Sequence, residues 1–101
     1  MEVVKSIHGV PIRVTEERWL HVTEEHTELA GCYYEVLETI QNPDSLYEGK
    51  TDELIAIRQM EKDKYLIVIY KEMNPKDGFL ITSFLTRRLD TITKRKRVWQ
   101  R

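Results

Sequence analysis

Three successive stretches between Glu53 and Thr86 constrain the fold of this chain more than any other part of its sequence. They are rich in β-branched and aromatic residues, and short polar turns separate them. The stretches are ELIAIRQME at 53–61, KYLIVIYK at 64–71 and GFLITSFLT at 78–86. Runs of this length and composition are typical of β-strands. The sequence therefore predicts three consecutive antiparallel strands.

The residues before these strands predict a hairpin and two helices. Residues 3–14 contain a Gly and a Pro between two short apolar runs, which indicates a turn. Thr15 suits a helix N-cap and precedes two acids, so a first helix is expected to run to about His26. Apolar residues at helical spacing indicate a second helix from about residue 28 to 41. Residues 46–48 predict a short strand.

Together these elements predict an α+β fold for one domain over residues 1–101. We expect an N-terminal hairpin or strand and two helices packed on one face of a twisted antiparallel sheet of about four strands. If the Lys62–Asp63 turn pairs Met60 with Tyr65, one face of the sheet is the more uniformly apolar and should lie under the helices. That face is predicted to carry Ile55, Ile57, Leu66, Val68 and Tyr70, continued by Phe79, Ile81 and Leu85.

Charge is distributed unevenly along the chain. Residues 87–101 contain seven Lys or Arg against the single acid Asp90, a net charge of +6, while the whole chain carries −1. This basic C-terminal segment is predicted to be the last strand or a tail. It suggests a polyanionic partner, or a tail that folds back on the acids of its own chain.

Several classes of protein are disfavoured. The longest apolar run, at 65–70, is too short to span a bilayer, and no signal peptide is recognisable. The single cysteine, Cys32, cannot form an internal disulfide, so we expect a cytoplasmic protein without a membrane partner. No P-loop, dinucleotide fingerprint, HExxH, paired CxxC or GxSxG motif occurs. Neither a cofactor nor a metal site is therefore expected.

The other face of the predicted sheet combines cations with hydroxyl groups. In the same register, Arg58 and Lys71 share one side of the sheet with Thr82 and Thr86. A guanidinium and an ammonium group suit a phosphate, hydroxyls can orient it, and a base could stack on Phe84 or Tyr65. This pattern predicts an anion-binding surface. The alternative is a solvated face with ordinary surface cations.

Two histidines lie on the first predicted helix. His26 falls at its C-terminal end, where an imidazole can act as an acid or base near neutral pH. Helix capping or packing is the alternative role. His21 lies five residues away and so cannot share a metal ion with it, but the choice of acid/base between the two stays open. The first helix should pack under the sheet, so His26 can reach the other face only near the rim.

The order of several motifs resembles a known family. The run Ile12–Leu29, with its R-x-T-x-x-R-W-x-H start, resembles the helical beginning of phage-associated nuclease domains of the barnase–EndoU–colicin–RelE superfamily. The break at 40–44 (IQNPD), the strand ending Tyr70–Lys71 and the stretch 82–86 (TSFLT) match in the same order. The resemblance covers about residues 12–99.

This resemblance implies a RelE/barnase-like fold and metal-independent cleavage of RNA, such as tRNA or mRNA, through attack of the 2′-hydroxyl on the adjacent phosphate. The implied catalytic residues are His26, Arg58, Lys71 and Thr82. The predicted substrate-binding residues are Thr86, Phe84, Tyr65 and Arg87. Such domains often act as toxins, alone or with an antitoxin protein. The alternative is a non-catalytic module of the same fold that binds RNA or a partner protein.

Overall fold

A single seven-stranded sheet forms the centre of the computed structural model, which describes residues 1–101. The strands are β1 (Glu2–Lys5), β2 (Pro11–Val14), β3 (Ser45–Glu48), β4 (Leu54–Glu61), β5 (Lys64–Asn74), β6 (Asp77–Thr86) and β7 (Arg97–Gln100). The helices are α1 (Glu16–Glu25), α2 (Tyr33–Gln41) and the short α3 (Asp90–Thr93), with a 3₁₀ turn at Thr27–Leu29. The strand order is β1-β2-β6-β5-β4-β3-β7. None of the helices has both the length and the hydropathy that crossing a membrane requires.

The predicted RelE/barnase-like fold, with an antiparallel sheet of about four strands and helices on one face, is wrong. The sheet has seven strands and is mixed, because β2 runs parallel to β6 through the pairs Ile12–Gly78 and Arg13–Phe79. Four short strands extend the three central ones: the hairpin β1–β2 lies beside β6, and β3 and β7 lie beyond β4. The hairpin and the three central strands themselves are confirmed.

Of the two larger helices, α1 begins at a capping side chain and α2 follows a short 3₁₀ turn. The Thr15 side chain accepts a hydrogen bond from the Arg18 N–H at 3.1 Å, as expected of an N-cap. The second predicted helix is divided, because the 3₁₀ turn comes first and α2 begins only at Tyr33. Gly31 lies between the two pieces, and glycine is a poor helix former.

The main hydrophobic core lies between the sheet and these two helices. Fourteen buried residues form it, and they come from both layers: Val22, Leu29, Val36 and Ile40 from the helical layer, and Leu46, Ala56, Leu66, Val68, Tyr70 and Leu80 among those from the sheet. We call this side of the sheet the helix face.

The predicted pairing of β4 with β5 is wrong by one residue. A bulge at Met60 shifts the register, so that Ile57 pairs with Ile67 rather than Val68. Because side chains alternate with a period of two, a shift of one residue moves every side chain of a strand to the other face. Ile55 and Ile57 therefore lie on the side opposite Leu66 and Val68, and not beneath the helices.

The second side of the sheet has its own smaller core. Tyr47, Ile55, Ile57 and Ile67 are buried there beneath Ile92 of α3, and Tyr65, Ile69, Phe84 and Leu89 pack around them. We call this side the α3 face. A four-residue helix covers only part of a seven-stranded sheet, so half-buried side chains line the rest.

Candidate functional site

A groove opens on the α3 face between the end of β6 and α3. It has a volume of about 380 Å³ and is lined by Phe84, Thr86, Arg88, Asp90, Thr91 and Ile92. The Thr86 hydroxyl accepts a hydrogen bond from the Arg88 N–H at 3.1 Å, which holds the chain as it leaves β6. The Arg88 guanidinium lies 3.4 Å from the Asp90 carboxylate. An aromatic ring, hydroxyls, a cation and a carboxylate thus border one cavity.

His26 lies beside Phe84, one of the residues that line this groove, at the edge of the sheet. Since β2 pairs with β6 only at Gly78 and Phe79, the rest of β6 has no strand on that side, and α1 and the 3₁₀ turn lie there instead. The ring of His26, just after α1, lies 5.8 Å from the ring of Phe84, centroid to centroid. Its Nδ1 is 3.8 Å from the Glu28 carboxylate. His21 lies elsewhere, on an exposed polar surface of α1.

Three other predicted site residues share the α3 face at increasing distance from the groove. Tyr65 pairs directly with Thr86, and Thr82 pairs with Ile69. Lys71 lies four residues beyond Ile67, the partner of Phe84. At about 3.4 Å per residue this is about 14 Å along the strand. Tyr65 is thus beside the groove, whereas Lys71 is remote from it.

Arg58 does not belong to this surface. It pairs with Leu66 on the helix face, and its Nη1 lies 2.9 Å from the Glu38 carboxylate of α2. The predicted grouping of Arg58 with Lys71, Thr82 and Thr86 on one side of the sheet is therefore wrong. The bulge at Met60 is the cause, because it reverses the direction of side chains in β4 relative to β5.

The predicted position of Phe79 is also wrong. Phe79 was expected on the helix face, but it pairs with Lys71 on one side and Arg13 on the other, on the α3 face. A second bulge, between Ile69 and Tyr70, sets this register, and nothing in the local sequence marks it. Phe79 is half-buried and packs against neither hydrophobic core.

The ion pair between Arg13 and Asp77 lies beside Phe79. The Arg13 guanidinium contacts both carboxylate oxygens of Asp77, at 2.8 and 3.1 Å. This contact holds the pKa of Asp77 below its usual value and raises the pKa of Arg13. Lys71, by contrast, has no carboxylate within 4 Å. The net local charge around Phe79 is therefore positive.

The basic C-terminal segment is folded, and most of its cations have no acidic partner. It forms α3 and β7, and only Arg88 and Arg101 contact a carboxylate, from Asp90 and Asp44. The other five cations have no acid within 4 Å: Arg87, Lys94, Arg95, Lys96 and Arg97. By contrast, residues 16–41 of the helical layer carry seven Glu and one Arg, a net charge of −6. The C-terminal segment and the helical layer thus have opposite net charges.

The largest cavity lies apart from these residues. It measures about 560 Å³ and is lined by Met1, Glu2, Glu16, Trp19, Leu20, Thr23 and Tyr33. Its charged side chains, Glu2 and Glu16, are carboxylates, so it is a poor site for the phosphate chemistry that the basic segment suggests. We therefore place the candidate site on the α3 face.

No protein-family model matches this chain, and comparisons with curated proteins and with solved structures gave no match. The relationship to nuclease domains, the ribonuclease activity and the antitoxin partner stay predictions.

Proposed function

We propose that the protein binds single-stranded RNA on the α3 face. The observation that carries this proposal is the separation of charge: the C-terminal segment, whose cations are mostly unpaired, forms α3 on the α3 face and the edge strand β7, whereas the acidic helices α1 and α2 cover the opposite face. A phosphate backbone is attracted to the C-terminal segment and repelled by the helical layer. Contacts from Lys and Arg to phosphates supply most of the sequence-independent affinity for nucleic acids.

Aromatic side chains on the same face favour a single strand over a duplex. Phe84, Tyr65 and Phe79 are half-buried there, and sheet-borne aromatic rings can stack on unpaired bases. Paired bases inside a duplex do not offer their faces to such rings. The combination of free cations and stacking rings is the one that single-strand binding proteins use.

The proposal is tested by fluorescence anisotropy with a labelled 20-nucleotide single-stranded RNA at several salt concentrations. The variant Lys94→Ala/Lys96→Ala should bind more weakly, and the slope of log affinity against log salt should become shallower by about 1.4 if both cations contact phosphates. Arg18→Ala/Lys50→Ala is the matched control, because it removes two exposed, unpaired cations that belong neither to the basic segment nor to β5 and β6. Equal effects of the two double variants, or tighter binding to a duplex, would contradict the proposal.

A second candidate function is metal-independent cleavage of RNA, and the position of His26 favours it. Its ring lies 5.8 Å from that of Phe84, which lines a groove together with Thr86 and Arg88. A base stacked on Phe84 would bring its ribose near an imidazole that can take up or release a proton. Arg58 has no part in this version of the mechanism, since it lies on the helix face.

Incubation with RNA in the presence of EDTA tests this second function. Cleavage should leave 2′,3′-cyclic phosphate ends, and His26→Ala should abolish it while His21→Ala retains it. RNA that stays intact although the protein binds it would refute the cleavage function and leave RNA binding as the only function.

A further inference from the structure

We propose that Phe79 and Lys71 form a second nucleotide-binding subsite, so that a single RNA strand runs along β5 and β6 from Phe84 to Phe79. This inference rests on the proposed RNA binding and specifies its path. One base would stack on Phe79, and Lys71 would contact a phosphate next to it.

The backbone at Phe79 is held by strand pairing on both sides. Phe79 occupies a site in β6 with Lys71 of β5 and Arg13 of β2 as its direct neighbours on the same face. The preceding residue, Gly78, allows the close approach of β2, since a Cβ there would lie 2.6 Å from Cδ1 of Ile12. A ring held on paired strands loses little conformational entropy when a base stacks on it.

The acids near Phe79 are already engaged, which leaves Lys71 available. Asp77 is occupied by the bidentate contact from Arg13. Glu72 points to the helix face, where it accepts a hydrogen bond from Ser6 at 2.5 Å and contacts Nδ1 of His8 at 2.9 Å. No carboxylate therefore competes with a phosphate for the Lys71 ammonium group.

The spacing of the two rings sets the length of RNA that can bridge them. Phe79 pairs with Lys71 and Phe84 with Ile67, so the rings are separated by about 14 Å along the strands. That distance equals about four steps of a stacked strand at 3.4 Å per nucleotide, and fewer steps when the strand is extended. Thr82 and Ile69 lie between them and are half-buried, so a strand could pass over that surface.

A length series of labelled oligouridines with two, four, six and eight nucleotides tests the subsite by anisotropy. For the unaltered protein, affinity should rise steeply up to four to six nucleotides. Phe79→Ala and Phe79→Leu should weaken binding of the hexamer about tenfold or more and leave the dinucleotide, which can occupy the Phe84 end, nearly unchanged. Lys71→Ala should make the salt slope for the hexamer shallower by about 0.7.

Tyr34→Ala is the matched aromatic control, because Tyr34 is 74% exposed and lies on α2 in the acidic layer. The Leu variant guards against a folding defect, since it keeps an apolar side chain at position 79. Hexamer binding that survives both Phe79 variants would overturn the subsite while RNA binding stands. Failure of the unaltered protein to bind any of the oligonucleotides, or the 20-nucleotide RNA, would overturn both proposals.

Discussion

Replacing Tyr70 by Phe should stabilise the protein. Tyr70 is fully buried in the main core, and its hydroxyl is the one buried side-chain polar atom that has no hydrogen-bond partner. A buried, unsatisfied polar group costs about 1–3 kcal/mol. Phe removes the hydroxyl and keeps the ring, so we expect the free energy of unfolding to rise by about 1 kcal/mol after the lost packing of one oxygen is allowed for.

This change should be visible in both chemical and thermal unfolding. The midpoint of urea denaturation should increase with an unchanged m-value, and Tm should rise by about 4–8 °C for a domain of this size. Tyr34→Phe is the control, since that hydroxyl lies on a side chain that is 74% exposed; its effect should stay within about 0.5 kcal/mol. A less stable Tyr70→Phe protein would refute the reasoning, because it would show that the hydroxyl donates a hydrogen bond in the folded state.

The stabilisation should also grow in alkaline solution. Burial, with a smaller contribution from the charge of Glu72, raises the pKa of Tyr70 above its usual value. The folded state therefore keeps the phenol proton where the unfolded chain loses it, and stability falls as pH rises above the unfolded pKa of about 10. At pH 11 the advantage of Tyr70→Phe over the unaltered protein should exceed its advantage at pH 8 by about 1.4 kcal/mol. An advantage that does not change with pH would show that the phenol titrates normally.

Three further substitutions probe the ion pairs and the close strand contacts. Asp77→Asn should lower stability at pH 7, and the difference from the unaltered protein should shrink below about pH 4 in urea titrations, because the lowered pKa of Asp77 contributes stability only above the pKa of the unfolded carboxyl group. Gly78→Ala should cost about 1–3 kcal/mol in the same assay, since its Cβ would lie 2.4 Å from the Lys71 carbonyl oxygen, whereas Gly31→Ala, with nothing within 4 Å, should cost nothing. Arg58→Ala should lower stability by less than about 1 kcal/mol and leave RNA affinity unchanged, because its partner is the half-exposed Glu38; lost affinity in an anisotropy titration would contradict its placement on the helix face.

The parts of the fold that follow from local sequence were predictable. The three central strands carry long β-branched runs, and the N-cap at Thr15 satisfies a backbone N–H three residues away. The outer strands of the sheet have only four residues each, so their partners depend on contacts between distant parts of the chain. The parallel pairing of β2 with β6 rests on two residue pairs separated by 66 positions. No local pattern encodes that contact, and it is the one that makes the sheet mixed.

The candidate site was harder to predict because both faces of the central sheet are apolar. In β4, one face carries Leu54 and Ala56 and the other Ile55 and Ile57, so alternation alone does not show which set lies under the helices. The choice depends on register, and the single extra residue at Met60 reverses it. That reversal removes Arg58 from the surface where a phosphate was expected. The second bulge, near Tyr70, has the opposite consequence, because it brings Phe79 onto that surface beside Lys71.

These two bulges change what the surface can do. With Arg58, the α3 face would have presented two cations near one phosphate, as a catalytic centre needs when charge develops in the transition state. Without Arg58, the cations of this face lie apart: Lys71 is beside Phe79, and Arg88 of the basic segment lines the groove with Phe84, about 14 Å away along the strands. Separate cations, each with an aromatic ring nearby, match an extended polyanion better than a single reacting phosphate. The observed register therefore favours binding along the sheet, and it restricts any cleavage to the rim where His26 meets Phe84.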